Sequence, residues 1–142
     1  MPLRKLLSRW LPAALLMAVI FVFSSIPSDE MPNFDWADWL VKKGGHAFGY
    51  GLLALAYARG LHSTLRPETA LGKRRRYLVA LGLTILYSAS DEFHQSFTPG
   101  RHPSQWDVLI DASGAALALW VHFHWSSVRN VLAIWSKMGR RA

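Results

Sequence analysis

The sequence predicts an all-α polytopic membrane protein, a four-helix transmembrane bundle with both termini inside and a short interfacial C-terminal helix. Three observations predict it. Apolar residues make up 51% of the 142 positions and are bunched into long runs, unlike the short periodicity of a soluble amphipathic fold. Basic residues gather at alternate gaps between those runs. Polar residues recur at one depth in every run. The expected division is a transmembrane domain over residues 1–125, with spans at about 10–26, 44–61, 77–97 and 107–125, and a cytoplasmic amphipathic basic tail over 126–142.

The first run, Trp10 to Ile26, has no charge. At about 1.5 Å per residue it nearly crosses a hydrocarbon core of about 30 Å. Arg4, Lys5 and Arg9 precede it, a pattern shared with signal peptides, but it is long for an h-region, no A-x-A site follows, and three more runs come after it. Pro12 then falls in the first turn, where a helix tolerates proline. The second run, Gly44 to Leu61, contains His46 and Tyr50 and ends near Arg59; its glycines at 44, 45, 49 and 51 suit close helix approach. The third starts at Tyr77 and continues through Ser88-Ala-Ser to about Phe97, where Pro99-Gly100 stops it. The fourth runs from Asp107 to Trp125, with Ser113, Gly114, Ala115 and Ala116 as a small-residue face.

Charge supports this arrangement. The net charge is +7, yet no nucleic-acid motif accompanies it, so no nucleic-acid partner is expected. With four spans and the N-terminus inside, all of the 16 Lys and Arg except Lys42, Lys43 and Arg101 fall on the inner side, and of the nine acids only Glu68 does. That is the positive-inside pattern. Phe34, Trp36, Trp39 and Leu40, alternating with Asp35 and Asp38, suit the outer headgroup level, and Trp10, Trp106 and Trp125 read as belt anchors. Val128, Val131, Leu132, Trp135 and Met138 follow helical spacing, which suits an amphipathic helix on the inner leaflet. With no cysteine, disulfides and thiolate metal sites are excluded.

Counting from each inner end, Ser24 and Ser25, His46, Asp91 and Glu92, and Asp111 all lie about 21–22 Å along their helices. That places them in the outer third of the core. Ionisable groups at that depth should face the bundle interior or a water-filled cavity, and they are functional candidates by default. Lys43, His46 and Tyr50 share a helix face, as do Asp91 and Gln95, and Asp107, Asp111 and Gly114.

Three blocks carry a resemblance to the VanZ-like family of bacterial integral membrane proteins: FSSIPS at 23–28; K-x-x-H-x-x-x-Y through Lys43, His46 and Tyr50; and SDEFHQSFTPGRHPSQWDVLIDASGA at 90–115. The chain departs from the family pattern at Gly49, where an acid is common, and at Asp111, where Asn is common. The resemblance spans about residues 10–125. It implies a multi-pass protein of the bacterial cytoplasmic (inner) membrane with cytoplasmic termini, acting on or binding a cell-envelope component, with a link to glycopeptide-antibiotic tolerance in the protein that names the family.

Three readings of the cluster stay open. As an enzyme at the outer leaflet, it has Asp91, Glu92, His46 and Asp107 as catalytic candidates, with His94 as a further proton shuttle and the acids as candidate ligands of a divalent cation. Lys43, Tyr50, Gln95, Arg101, Asp111, Ser24 and Ser25 would bind a lipid-linked or cell-wall group, Arg101 and Lys43 holding its phosphate or carboxylate. No cofactor is expected, no metal is named by the spacing, and no catalytic signature is present. As a binding or transport module, four spans are few, so a homo-oligomer is needed. As a structural network, Asp91, Arg101, Asp107 and His46 would lock the helices together, with Arg101 bidentate to a carboxylate.

Overall fold

The computed structural model describes residues 3–138 except 33, 63–64 and 66–68, with side chains described from Arg4 to Trp125. The expectations for Arg66, Glu68, Arg140, Arg141 and the side chains of the tail therefore lie outside the described residues. The described residues form four helices and no strand: α1 (Leu3–Ser24), α2 (Asp38–Leu61), α3 (Ala70–Gln95) and α4 (Gln105–Met138). Two 3₁₀ turns, Ser28–Glu30 and Asp35–Ala37, lie between α1 and α2. Helix α2 is central. It packs most extensively on α4 and also meets α1 and α3, while α1 touches α3 only lightly.

The helices differ from the expected spans at their ends, and for α3 and α4 a capping side chain explains the start. Helix α1 begins a full two turns before Trp10, so Pro12 lies inside it and not in its first turn; the ring withholds one i→i−4 hydrogen bond there. Helix α2 starts at Asp38, bringing Trp39 and Leu40 into its first turn. Helix α3 starts at Ala70 because Thr69 caps it, its hydroxyl accepting from the Gly72 N–H at 3.0 Å. Ser104 does the same for α4, its Oγ accepting from the Trp106 N–H at 3.2 Å. The Ser104-x-x-Asp107 spacing is the capping-box pattern. The expected separate C-terminal helix does not form: α4 is continuous to Met138. Residues 126–138 contain neither Pro nor Gly, so nothing interrupts the hydrogen-bond ladder.

The bundle buries an apolar core of Tyr50, Leu53, Ala54, Tyr57, Ala80, Ala115 and Leu119, with a set of polar side chains beside it, and leaves many other large apolar side chains on its outer surface. Ser24, Thr84, Ser88, Asp91, Glu92, Gln95 and Asp111 are buried, while Leu7, Leu15, Val22, Phe48, Leu86, Leu117 and Trp120 are exposed. Residues Arg4–Ser24 form a helix long and apolar enough to cross a membrane, and little of it is buried. A core helix of a soluble protein would be mostly buried. Among the described residues α1 alone meets that criterion; the apolar runs of α2, α3 and α4 are interrupted by Gly, His, Arg, Asp or Glu.

Small residues set the α2–α4 distance. A Cβ on Gly114 would lie 2.2 Å from the Ala47 carbonyl oxygen, and one on Gly51 would lie 3.3 Å from the Gly114 oxygen. Of the glycines expected to bring helices together, only Gly51 does so; a Cβ on Gly44, Gly45 or Gly49 would meet nothing within 4 Å. Trp10, expected at the interface, packs its ring over Gly60, where a Cβ would approach it to 2.8 Å. Trp106 and Trp125 are exposed.

Gly114→Val forces α2 and α4 apart and is expected to cost about 3 kcal/mol or more, the upper range for overpacking. Gly44→Ala has open space and is expected to be neutral or stabilising by up to about 1 kcal/mol. Thermal unfolding of the purified variants in detergent distinguishes the two.

Candidate functional site

The polar residues at the α1 C-terminal end of the bundle form two carboxylate-centred groups. Asp91, on α3, is 4% exposed. Its Oδ2 accepts hydrogen bonds from Ser24 Oγ on α1 at 2.7 Å, Tyr50 OH on α2 at 2.9 Å and Gln95 Nε2 on its own helix at 3.0 Å. Gln95 Nε2 also donates to Ser24 Oγ at 3.2 Å. Asp111, on α4, is 1% exposed and accepts from Ser88 Oγ at 2.7 Å. Its Oδ1 lies 3.7 Å from His46 Nδ1, an ion-pair distance rather than a hydrogen bond. The ring of His46 stacks on Tyr50, centroids 6.2 Å apart. All four helices thus contribute to one connected patch.

The remaining candidates sit around it. Lys43 pairs with Asp107 across α2 and α4. Glu92 accepts the Ser104 N–H at 2.9 Å, anchoring the α3–α4 loop. Among the described residues Arg101 bonds no carboxylate, unlike the bidentate pairing of the structural-network reading. Its Nε donates to the Ile26 carbonyl at 3.2 Å and its Nη2 to the Phe23 carbonyl at 3.1 Å. Both acceptors are backbone carbonyls at or just beyond the end of α1, and that of Phe23 also accepts from the Ile26 N–H at 3.3 Å. The same loop is clasped to residues 24–28 by Ser28 Oγ donating to the Gly100 carbonyl at 2.6 Å and by Thr98 Oγ1 donating to the Ser24 carbonyl at 3.4 Å. Gly100 has φ +69 and would carry a Cβ only 3.3 Å from that of Ser28, so this turn requires glycine on both counts.

Two candidates fall outside the patch. Ser25 is exposed, donates to the Phe21 carbonyl at 2.7 Å and lies 3.0 Å from His94 Nε2. His94 stacks on Phe21, centroids 4.5 Å apart. Serines at adjacent helix positions point about 100° apart, so only one of 24 and 25 can face inward. Ser88 and Ser104 are the residues the sequence reasoning underweighted. Ser88 lies one turn before Asp91, and Ser104 carries the capping signature.

Beside the patch, between α1 and α2, is a cleft of about 410 Å³. Val19, Phe23, Gly45 and Gly49 give it apolar or open walls, and Met31 and Phe34 also line it. Ser24, Lys42, His46, Tyr50 and Arg101 supply its polar groups. Lys42, not Lys43, is the lysine that lines it; its Nζ also pairs with Asp38 at 2.9 Å. Lys43, Asp91 and Asp107 do not line the cleft. Among the described residues no three His, Asp or Glu side chains converge in a way that would hold a metal ion. Buried Asp91 Oδ1, Glu92 Oε1, Asp111 Oδ1 and His46 Nδ1 make no hydrogen bond within the described structure.

The VanZ/LLP1 family model matches residues 9–127, most of the chain and every residue of the patch and cleft. No curated protein and no solved structure matches the chain.

Asp91→Ala removes one acceptor from three donors and is expected to cost about 1–3 kcal/mol. Ser25→Ala is expected to stay within about 0.5 kcal/mol, as for an ordinary surface position. Denaturation midpoints of the two variants against the parent chain check this pair.

Proposed function

The chain belongs to the VanZ/LLP1 family, and on that premise we propose that it is a four-span protein of the bacterial inner membrane, termini inside, that binds an amphipathic cell-envelope component from the outer side. The observation that supports this most is the cleft itself. Its apolar walls suit an acyl or isoprenoid chain, and Lys42, His46 and Arg101 in its lining suit a phosphate or carboxylate headgroup. Family membership and the apolar, outward-facing α1 point to a membrane protein. The inward polar and outward apolar distribution on the other helices supports four spans, since lipid replaces water around an exposed apolar surface.

In this reading the residues divide by role. Asp91, Ser24, Tyr50 and Gln95 hold α1, α2 and α3 in register. Asp111 orients His46, whose ring faces the cleft and is the group placed to exchange a proton with a bound headgroup. Glu92 and Arg101 fix the loop that borders the cleft. A purely structural role for the patch is the second reading. It is favoured by the Asp91 hydrogen bonds, which all run between protein groups.

The two readings differ at Gly49. Gly49 lines the cleft, makes none of the hydrogen bonds of the patch, and would carry a Cβ with nothing within 4 Å. Gly49→Leu and His46→Gln are expected to fold with unchanged yield in detergent but to lose co-purifying anionic envelope lipid and any protection of cells against a glycopeptide antibiotic. Unchanged lipid retention and unchanged survival in both variants would count against the binding reading.

A further inference from the structure

At the opposite end of the bundle a second cleft, of about 360 Å³, is lined by cationic or imidazole side chains from all four helices: Arg9 on α1, Arg59 on α2, Arg76 on α3 and His122 on α4, with His62 at the end of α2. The positive-inside pattern explains why basic residues lie at this end, but not why one of them is buried. Arg76 is only 8% exposed. The next two residues back along the chain, Arg74 and Arg75, are exposed and suit a topological role. His122 joins the same group: its Nδ1 lies 2.7 Å from Tyr77 OH.

Among the described residues no carboxylate pairs with the buried guanidinium. Its Nη2 donates to Tyr77 OH at 2.9 Å, its Cζ lies 4.7 Å from the Tyr77 ring, and its Nε makes no hydrogen bond among the described residues. The ion pairs among the described residues are Lys42–Asp38, Lys43–Asp107 and His46–Asp111, all at the other end. An ionised group taken out of water is costly unless it is paired. Arginine keeps its charge under all ordinary conditions, so it cannot relieve that cost by losing a proton. Two further guanidinium groups, Arg9 and Arg59, line the same cleft with no described carboxylate beside them. Planar guanidinium forks match the oxygens of a phosphate bidentately.

We propose that this cleft is an anion site for a phosphate group, with Arg76 as its buried anchor and Arg9 and Arg59 as its rim. The phosphate is that of a lipid headgroup at the adjacent leaflet or of a soluble phosphate; both present the same oxygens. The site is separate from the cleft between α1 and α2, and it does not depend on the function assigned there.

The test uses the full chain in a sugar-headgroup detergent, which contains no phosphate. Inorganic phosphate and short-chain phosphatidylglycerol are titrated separately, and the thermal unfolding midpoint and bound phosphorus are followed. Saturable stabilisation by at least one probe is expected. Response to phosphatidylglycerol alone assigns the lipid source; response to inorganic phosphate assigns the soluble one. Arg59→Gln/Arg76→Gln is expected to weaken binding by about tenfold or more, given the strength of hydrogen bonds to charged groups. Arg74→Gln/Arg75→Gln is expected to bind as the parent does. Should replacement of Arg76 prevent folding, Arg9→Gln/Arg59→Gln gives the same comparison at the rim. The proposal is overturned if the parent binds neither probe, or if the cleft variants and Arg74→Gln/Arg75→Gln lose affinity equally.

Discussion

A single carboxylate oxygen, Asp91 Oδ2, accepts from α1 through Ser24, from α2 through Tyr50 and from α3 through Gln95. Burying a carboxylate in an apolar surrounding is unfavourable unless donors surround it. The three donors must therefore be in place together, which fixes how far α1 sits along α2 and how α3 is rotated against both. The α3–α4 loop depends on the same register. Only when Ser24 is at Asp91 do Ser28 and the carbonyls of Phe23 and Ile26 meet Gly100 and Arg101. The cleft between α1 and α2 inherits its shape from this arrangement, because Ser24 and Tyr50 form part of its wall.

Much of this was legible in the chain. Helical spacing put Lys43, His46 and Tyr50 on one face, and that face meets Asp107, Asp111 and Asp91 in turn. Counting rise per residue from four separate ends brought Ser24, His46, Asp91 and Asp111 to one level, and they are neighbours. The errors have physical origins. Hydropathy marks where a helix is apolar, not where it starts, so the capped two turns at the start of α3 and the early start of α1 escaped it. Residue type does not give rotation, so Ser25 was grouped with Ser24 although a helix turns them apart. In the structural-network reading opposite charge suggested a carboxylate for Arg101, whereas backbone carbonyls at and just beyond the end of α1 lie close by. Glycine signals either close packing or open space, and only the neighbours decide: Gly51 and Gly114 are the first, Gly45 and Gly49 the second.

The two ends of the bundle solve the problem of inward polarity differently. At the Asp91 end, carboxylates meet hydroxyls, an amide, a lysine and an imidazole from the protein itself. At the Arg76 end, guanidinium groups gather with no described carboxylate. A bundle built only for mutual stabilisation would be expected to mix the signs at both ends, since paired charges cost less than separated ones. The Asp91 end mixes the signs and the described Arg76 end does not, which fits the anion site proposed beside Arg76.

All of this rests on the helices crossing a bilayer with the α1–α2 cleft on the outer side. The chain has no cysteine, so single cysteines report without background. Gly45→Cys, in open space at the cleft, and Arg75→Cys, exposed at the far end, are treated with a membrane-impermeant maleimide in right-side-out vesicles. The account predicts labelling of the first in sealed vesicles and of the second only after the membrane is opened. Labelling of Arg75→Cys in sealed vesicles, or protection of Gly45→Cys until they are opened, would contradict it.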